Sequence, residues 1–496
     1  METVWVLGDQ LHRRIPPLAD RRPGEVRVLL VESEAALARR DWHRQRLHVV
    51  LASMRRFAAE LASEGFAVDL RRAPTLRAGL DAHVAEHRPT RVVAMEASSW
   101  DGRRMLDAAG VDVVRSDRFL CPADEFAEWA GGRSGRLTME DFYRWQRRRL
   151  GILMDGDEPA GGRWNFDADN REPPPRDGRA WPAAVTSRLD DLDAEVLAGL
   201  PDHAVGADPV GIWPTSRRAA LARLRAFVDE ALPRFGPHED AMLAGEWRLA
   251  HSLLSSALNI GLLHPAEVVD AVEDAYRSGA VPIASAEGFI RQVIGWREYV
   301  WGLYWLWMPE YRDRDELGAD RPLPAAWRGG APTNMACLAN VLAKVDEYGW
   351  AHHIERLMVL GNLALLAGTR PAEVVDWMTA RFVDGAEWVM LPNVVGMALH
   401  ADGGMMATKP YAAGGAYINR MSDHCRGCRY DPKRRVGDDA CPYTTLYWDF
   451  LARHRGRFAA NHRMARQVAG LDRLGDLDAV RARAAEVRAG LDAGTV

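Results

Sequence analysis

The chain has 496 residues, a formal net charge of −5 and 48% hydrophobic residues, which is typical of a globular protein with two or more domains. This charge excludes a globally basic nucleic-acid binder, so any contact with nucleic acid needs a local positive patch. The N-terminal residues METVWVLGDQLHRR lack the basic start and apolar stretch of a secretory signal. We therefore expect a cytoplasmic, monomeric protein without a membrane span.

The first third of the chain predicts a Rossmann-like parallel sheet covered by helices. Short β-branched segments predict strands at 3–7, 26–31, 67–70, 91–95 and 111–114. Residues 47–61 carry apolar side chains at helical spacing, and Gly65 ends that helix. Such sheets bind ligands beyond the carboxyl ends of their strands. The first strand ends in Gly8-Asp9-Gln10, which fits a ligand-contacting loop as well as an ordinary turn.

A linker and then a helical region follow. Residues 159–182 are rich in proline, glycine and aspartate, which indicates a linker, and ion pairs would pin its centre, RWNFDADNR (163–171). Helical patterns then cover 217–231, 241–263, 286–306, 335–345, 352–366, 371–382 and 472–491. We expect an α/β domain at 1–135, an interdomain linker at 136–212 and an all-helical domain at 213–496.

The cysteine spacing predicts a metal site. Cys425-x-x-Cys428 is a bidentate clip, Cys441 follows within reach, and the other two thiols are Cys121 and Cys337. Four thiolates suit zinc or an iron–sulfur cluster. One Cys-x-x-Cys pair with two isolated cysteines favours a 4Fe-4S cluster over a zinc ribbon, which usually has two such pairs. The alternative is a redox pair or two buried thiols.

Several long motifs resemble the photolyase/cryptochrome superfamily, and more narrowly its iron–sulfur bacterial branch, the prokaryotic (6-4) photolyases. They are HSLLSSALNIGLLHP (251–265), GWREYVWGLYW (295–305), HHIERLMVLGN (352–362), LPNVVGMALHADGG (391–404) and KPYAAGGAYINRMSDHC (409–425). The segments WNFDADNR and LGDQL fit the same pattern, so the resemblance spans nearly the whole chain.

The resemblance implies an N-terminal antenna domain and an all-α, FAD-binding C-terminal domain. In that branch a 4Fe-4S cluster would be ligated by Cys337, Cys425, Cys428 and Cys441, which leaves Cys121 as a packing residue. The antenna of relatives is 6,7-dimethyl-8-ribityllumazine. By similarity we place it near Gly8, Asp9, Gln10 and Glu32.

The expected flavin contacts are polar residues in apolar surroundings. The hydroxyl groups of Ser252 and Ser255 suit a pyrophosphate, although small polar residues also serve ordinary helix packing. Arg297, beside Trp296, needs a carboxylate or phosphate partner. The complete expected set is Ser252, Ser255, Asn259, Gln292, Arg297, Asn362 and Asp402.

The remaining expected site residues serve repair of ultraviolet-damaged DNA. Adjacent residues of a helix point about 100° apart, so His352 and His353 cannot share one pocket equally, and by similarity His353 is the acid beside the lesion. Tyr411 and Tyr417 resemble residues that contact the flipped bases. Trp377 is the expected flavin-proximal member of an electron relay, with Trp327 further out. Phosphate contacts are expected from 144–149 and 426–435.

Three functions fit these features. The first is a light-driven (6-4) DNA photolyase, an enzyme that repairs pyrimidine photoproducts by electron transfer from excited reduced FAD. A blue-light photoreceptor on the same scaffold would keep the flavin and signal to a partner. A light-independent iron–sulfur protein that binds nucleic acid would need no flavin, and the antenna and FAD motifs argue against it.

Overall fold

The computed structural model describes residues 1–329 and 331–496. Its N-terminal part contains a five-stranded sheet in which all neighbouring strands are parallel, in the order β3-β2-β1-β4-β5. The strands are β1 (Glu2–Trp5), β2 (Val26–Ser33), β3 (Ala67–Ala73), β4 (Val92–Met95) and β5 (Asp112–Val114). All five predicted strands are confirmed. The strand order reverses at β1, so the switch point of the sheet lies where Gly8, Asp9 and Gln10 follow that strand.

Alternate residues of the central strands enter two apolar layers. Val4 and Val28 pack with the helix Arg44–Ser63, whereas Trp5 and Leu29 pack on the opposite face. Both faces are therefore buried, as expected for a parallel sheet. The helices of this half are Glu34–Ala38, Arg44–Ser63, Leu76–His87, Trp100–Ala109 and Ala123–Gly131.

The connecting region is largely irregular and is held by ion pairs. It contains the helices Met139–Leu150 and Asp191–Ala198 and a short antiparallel pair, Met154–Asp155 with Glu158–Pro159. The ion pairs expected in 163–171 are present: Arg163 lies 2.5 Å from Asp169, and Arg171 pairs with Asp167. The domain boundaries at 135 and 212 stay a prediction.

The remainder of the chain is helical. Its α-helices are Arg217–Ala226, Leu232–Phe235, Ser255–Ile260, Pro265–Arg277, Ile283–Ile290, Glu298–Trp307, Ala336–Tyr348, Asn362–Ala367, Pro371–Arg381, Glu387–Pro392, Gly415–Met421, Pro442–Arg453, Arg455–Ala459, Ala465–Ala469 and Leu477–Ala493. The predicted helix 241–263 is wrong except for Ser255–Ile260. Leu249 and Leu253 there have φ of 49° and 57°, which a right-handed helix cannot contain.

Four π-helical segments interrupt the helices of this half in the described residues. They are Phe227–Ala231, Arg291–Arg297, Glu355–Gly361 and Asn393–Ala398. Such segments are rare and often occur at functional sites because the extra residue rotates side chains out of the regular pattern. Across the described parts of the chain, none of the helices has both the length and the apolar content that a membrane crossing requires.

Candidate active site

The helical half encloses a cavity of about 330 Å³, within the range of small-molecule sites. Three of the π-helical segments, Arg291–Arg297, Glu355–Gly361 and Asn393–Ala398, contribute to its wall. The wall is mainly apolar and aromatic, and Trp296, Trp350 and Trp388 lie in it. These π-helical segments therefore contribute many of the side chains that line the cavity. The apolar periodicity of the sequence did not predict them.

Five of the predicted flavin contacts line the cavity together: Ser252, Ser255, Asn259, Gln292 and Arg297. Arg297 has the carboxylate partner that its position requires, because it donates to Glu298 over 2.8 Å. Its Nε atom is nonetheless buried without a hydrogen-bond partner in the described residues. Burial lowers the pKa of Arg297 to about 10, which leaves it charged at neutral pH.

A buried ion pair that the sequence analysis missed organises this part of the wall. Arg356 donates to both oxygens of Asp384 over 2.9 and 3.1 Å. Asp384 also accepts from the Ser255 hydroxyl over 2.7 Å, and its carbonyl accepts from the Asn259 amide over 2.9 Å. Asp384 therefore holds the side chains of Ser255 and Asn259, two of the predicted flavin contacts, in place. Its sequence context, FVDGAE, looks like an ordinary turn and carries no signal of this role.

Asp384→Asn is expected to destabilise the protein and to loosen its hold on any bound cofactor. The change leaves the Arg356 guanidinium without its anion, and loss of one partner of a buried pair costs about 3 kcal/mol. Chemical denaturation measures the unfolding free energy. Asp376→Asn is the matched control, because Asp376 pairs with Arg40 at the surface, where the loss stays below about 1 kcal/mol. Equal losses in the two variants would contradict the role given to Asp384.

Asn362 and Asp402 do not line this cavity. The Asn362 amide exchanges two hydrogen bonds with the backbone of Ala413, over 2.8 and 3.1 Å. Asp402 accepts from the Tyr311 hydroxyl over 2.8 Å and from two backbone N–H groups. Both side chains hold loops through these bonds, and their expected contact with a flavin stays a prediction.

The two adjacent histidines occupy different environments. His353 lines the cavity and is exposed to it, whereas His352 is fully buried behind the wall. Desolvation, followed by the nearby Arg356 cation, lowers the pKa of His353 below its ordinary value. His352 stacks on His251 with ring centres 4.7 Å apart, and His251 also lines the cavity. The protein alone therefore holds a neutral imidazole, His353, at the cavity wall at pH 7.

Tyr411 and Tyr417 are partly buried and lie outside the cavity lining. Burial raises the pKa of each phenol, and the charges of Arg171 and Asp240 also act on both. Burial also raises the pKa of Asp240 to about 6. The folded linker thus brings the charge of Arg171 within electrostatic range of Tyr411 and of Tyr417, which lies on the helix Gly415–Met421.

Trp377 and Trp327 form a close pair in the core. Their ring centres are 4.7 Å apart, and the Trp377 indole donates to the Trp327 carbonyl over 2.7 Å. Neither residue lines the cavity, where Met378 takes the place next to Trp377. The relay role of this pair stays a prediction.

The four cysteines expected to bind a cluster surround one small space. Cys337, Cys425, Cys428 and Cys441 line a cavity of about 10 Å³. In the described residues no three of these sulfur atoms lie within 4.8 Å of one another. Thiolates on one tetrahedral zinc, each about 2.3 Å from the metal, would lie closer together than this limit. Burial and the other three thiols raise the pKa of Cys337, so the set needs positive charge to ionise.

Cys121 lies apart from that set and is fully buried. Its backbone N–H donates to Glu298 over 2.8 Å, and burial raises the pKa of its thiol. Glu298 is the partner of Arg297 in the cavity wall. The fifth cysteine therefore packs behind that wall.

The residues expected to hold an antenna gather at the carboxyl ends of β1, β2 and β4. Gln10 donates to the carbonyls of Met95 and Glu96 over 3.2 and 3.1 Å, and Asp9 accepts from Ser98. Glu32 pairs with Arg55 over 2.8 and 3.0 Å and is almost fully buried. Gly8 begins the loop. These four residues lie at the carboxyl edge of the sheet. Asp9, Gln10 and Glu32 form hydrogen bonds or ion pairs with other residues of the protein there.

The predicted basic strip at 144–149 is mostly structural. Arg147 is buried and donates to backbone carbonyls, Arg144 pairs with Glu140, and Arg149 pairs with Glu125. Arg148 is exposed. In the second strip, Arg434 and Arg435 pair with Asp439 and Asp476, whereas Arg426, Arg429 and Lys433 are exposed.

Comparison with known proteins places the chain in a family. Residues 4–207 match the model of the deoxyribodipyrimidine photo-lyase-related protein family. The (6-4) photolyase of Agrobacterium fabrum is 43% identical over 491 residues, with 96% of each chain covered.

Two solved structures share the fold at low sequence identity. A bacterial class III photolyase from Agrobacterium tumefaciens aligns with a TM-score of 0.59 and 17% identity over 99% of this chain and 98% of its own. The cryptochrome of Synechocystis sp. PCC6803 aligns with a TM-score of 0.54 and 13% identity over 80% of this chain and 83% of its own. The parallel sheet followed by a helical half is thus the photolyase/cryptochrome fold. Together with the identity to the (6-4) photolyase, it shows that the chain belongs to the photolyase/cryptochrome superfamily and to the family of that enzyme.

Proposed function

We propose that the protein is a DNA photolyase that repairs (6-4) pyrimidine photoproducts by light-driven electron transfer. One observation carries the proposal: His353 stands at the wall of the same apolar cavity that the predicted flavin contacts line, in a chain 43% identical to a (6-4) photolyase. A proton-donating group and a cofactor cavity thus share one site. Repair of this lesion needs an acid beside the cofactor, whereas binding of a flavin alone does not.

Membership in the superfamily implies FAD, and the cavity suits it. The apolar and aromatic wall suits the ring system, and the Ser252 and Ser255 hydroxyl groups suit the polar part. The buried Nε of Arg297 has no partner in the described residues and fits an anionic or carbonyl oxygen. When bound, reduced FAD supplies the electron that opens the lesion after light absorption. The apolar wall disfavours water in the cavity, and the bonds to Asp384 hold Ser255 and Asn259 in place.

His353 would supply the proton that repair of this lesion needs. A substituent must return from one base to the other, and protonation makes it a better leaving group. The pKa of His353 is lowered in the protein alone, so the ring is neutral there. An anionic DNA substrate raises a histidine pKa because it favours the charged form. Substrate binding would therefore charge His353 at its ring nitrogen when the acid is required.

Tyr411 and Tyr417 would receive the damaged bases after they leave the duplex. Both residues are partly exposed, and Arg171 and Asp240 lie within electrostatic range of them. Aromatic rings stack on flipped bases, and a damaged pair is easier to extract than an intact one. Exposed cations near this half, of which Arg148, Arg426 and Arg429 are candidates, would bind the phosphates.

The cysteine site would hold the 4Fe-4S cluster, with Cys337, Cys425, Cys428 and Cys441 as ligands. The spread of the sulfur atoms supports a cluster over a single zinc ion. Tyr443 lines the same small cavity and donates to the Val359 carbonyl over 2.8 Å. Val359 belongs to the segment Glu355–Gly361, so the cluster site braces the wall of the flavin cavity.

The sheet edge would hold the ribityllumazine antenna. Gly8, Asp9, Gln10 and Glu32 converge there, and the following residue, Leu11, donates its backbone N–H to the Ile260 carbonyl over 2.9 Å. Ile260 ends the helix that carries Ser255 and Asn259. The antenna edge is thus coupled to the flavin wall by backbone contact.

The test is a repair assay with two oligonucleotides, one with a (6-4) photoproduct and one with a cyclobutane dimer, each in blue light and in the dark. We expect light-dependent restoration of the (6-4) substrate alone. Restoration of the cyclobutane dimer alone would overturn the assigned lesion. Restoration of neither by flavin-loaded, reduced protein would overturn the repair function.

A further inference from the structure

We propose that Asp69, His83 and His87 form a binding site for a divalent transition metal ion such as zinc. The site lies beside the parallel sheet, away from the flavin cavity and the cysteine site, and it does not depend on the proposed function. Within the residues that the structure describes, it is the one place where three histidine, cysteine or carboxylate side chains bring ligand atoms within 4.8 Å of one another. Two imidazoles and a carboxylate suit zinc, whereas magnesium and calcium prefer oxygen ligands alone.

The sheet and one helix bring these three residues together. Asp69 is on β3, an edge strand of the sheet, and both histidines are on the helix Leu76–His87 that follows it. Residues four apart are neighbours on one face of a helix, so the two imidazoles lie side by side. This helix returns the chain from the carboxyl end of β3 towards the amino end of β4. Its last turn, and with it the site, therefore lies at the opposite end of the sheet from the proposed antenna edge.

One carboxylate oxygen is the centre of the group. Asp69 Oδ2 lies 2.6 Å from His83 Nδ1 and 3.4 Å from His87 Nε2. Ligand atoms around a tetrahedral zinc ion, each about 2.0 Å from the metal, are about 3.3 Å apart. The distance to His87 already matches this spacing, and the shorter distance to His83 needs to open by less than about 1 Å. Small side-chain rotations would therefore admit the ion.

The buried histidine has the hydrogen-bond support that is usual for a metal ligand. His83 is fully buried, and its Nε2 atom lies 2.8 Å from the hydroxyl oxygen of Thr3 on β1. A ligating histidine commonly donates its other ring N–H to an acceptor, which fixes the orientation of the ring. The Thr3 hydroxyl can accept that proton, so that Nδ1 presents its lone pair to the ion. Thr3 is therefore a positioning residue for His83.

The remaining features of the site favour a cation that arrives from solvent. The side chains of Asp69 and His87 are 14% and 20% exposed, so the ion can reach them. The last turn of a helix favours positive charge because the helix dipole is negative there. Glu86 Oε1 lies 3.5 Å from His87 Nε2, and this carboxylate is placed to become the fourth ligand.

Arg71 competes with a metal ion for Asp69. Its Nε atom donates to Asp69 Oδ2 over 2.6 Å, and a second guanidinium nitrogen donates to Glu86 Oε2 over 2.6 Å. The guanidinium therefore neutralises Asp69 in the protein without metal. An ion pair needs Arg71 alone, however, and does not explain why two imidazoles converge on the same oxygen atom. We expect the metal to replace Arg71 at Asp69, while Arg71 keeps its bond to the exposed Glu86.

The experiment measures zinc binding by the full-length protein and by the variants His87→Ala and Arg71→Gln. Each protein is titrated with zinc in competition with a chromophoric chelator, and bound zinc is counted by elemental analysis after gel filtration. Neither variant changes a cysteine, so zinc held by the cysteine site is equal in all three proteins. His87→Ala is expected to weaken binding at this site at least about 100-fold, because even outer-shell partners of a metal contribute about 10–100-fold.

Arg71→Gln is expected to tighten zinc binding at least about fivefold, the equivalent of a strong exposed ion pair, because it removes the competing cation. A misfolded variant does not gain affinity, so this result remains informative if His87→Ala fails to fold. Thr3→Val keeps all the ligands and should weaken binding by about 10–100-fold. His203→Ala, a change at an exposed linker residue, is the control and should bind zinc like the wild type.

Two outcomes would overturn the proposal. One is equal zinc binding by the wild type, His87→Ala and Arg71→Gln, which would leave the group as an ion-pair cluster only. The other is displacement of zinc from this site by excess magnesium, since two imidazoles disfavour that ion. The quantity measured is bound zinc rather than repaired DNA, so failure of this proposal and failure of the proposed function are separate results.

Discussion

His353→Ala is expected to reduce light-driven repair of the (6-4) photoproduct by about 10²–10⁴-fold, the usual contribution of a positioned acid. The His353 imidazole lines the cavity and has no hydrogen-bond partner in the described residues, whereas Asp384 is engaged with Arg356 and Ser255. Alanine removes the proton donor and leaves the ion pair that shapes the wall. The measurement is single-turnover repair by chemically reduced protein, so that photoreduction does not limit the rate.

The pH dependence of the same assay tests whether the charged form of His353 is the reactive one. Desolvation at the cavity wall lowers the pKa of His353 in the protein alone, and bound DNA raises it again, so in the complex the charged form increases as the pH falls through that pKa. If the imidazolium is the reactive form, repair by the wild type accelerates by up to about tenfold for each unit of decrease in pH above its pKa. His353→Ala should lose this dependence. His203→Ala, a change at an exposed linker residue, should behave like the wild type.

Two outcomes would contradict the role of His353. One is a His353→Ala variant that repairs at the wild-type rate. The other is a variant that has lost its flavin, because the residue would then serve binding rather than proton transfer. His353→Asn separates proton transfer from flavin binding, because it keeps a polar group of related size without a titratable ring. If His353 is the acid, this variant retains its flavin and still fails to repair.

Cys337→Ser is expected to abolish cluster binding and to lower the melting temperature by about 5 °C. Loss of a metal site that forms on folding costs several kcal/mol. Each kcal/mol shifts the melting temperature by about 1 °C in a chain of 496 residues, because the unfolding entropy grows with chain length. Cys337 lies on the helix Ala336–Tyr348, far in sequence from the other three ligands. Its thiolate would therefore join two parts of the helical half through the proposed cluster. Iron and sulfide analysis and calorimetry provide the measurements.

Cys121→Ala is the matched control for the cluster variant. Cys121 is equally buried but lies outside the cysteine site, so its loss should cost about 1 kcal/mol of packing and leave the iron content unchanged. Iron retained in Cys337→Ser, or lost in Cys121→Ala, would contradict the ligand set. Because Tyr443 connects the cluster site to Val359, we also expect Cys337→Ser to hold its flavin less firmly.

The sequence predicted the sheet well because each strand is a short apolar segment whose neighbours are turns. It predicted 241–263 poorly because apolar residues at helical spacing also occur where the backbone folds back at Leu249 and Leu253. The ion pairs of 163–171 were predictable from alternating charges. The π-helical segments were not, because an inserted residue changes the register of a helix without changing its composition.

The candidate site, like the fold, could be predicted from the sequence only in part. Residues within recognisable motifs, such as Ser252, Ser255 and Asn259, meet at the cavity. Asn362 and Asp402 lie in equally recognisable motifs outside the cavity lining, where Asn362 bonds to the Ala413 backbone and Asp402 to the Tyr311 hydroxyl and two backbone N–H groups. Asp384 could be found only from the fold, because its role depends on contacts between segments far apart in the chain.

The action spectrum of repair by chemically reduced, flavin-loaded protein on a single (6-4) oligonucleotide tests the photolyase assignment most directly. We expect repair only under illumination, with an efficiency that follows the absorption of the reduced flavin and of any bound antenna. No repair at any wavelength, with flavin bound and reduced, would contradict it and would point to a photoreceptor.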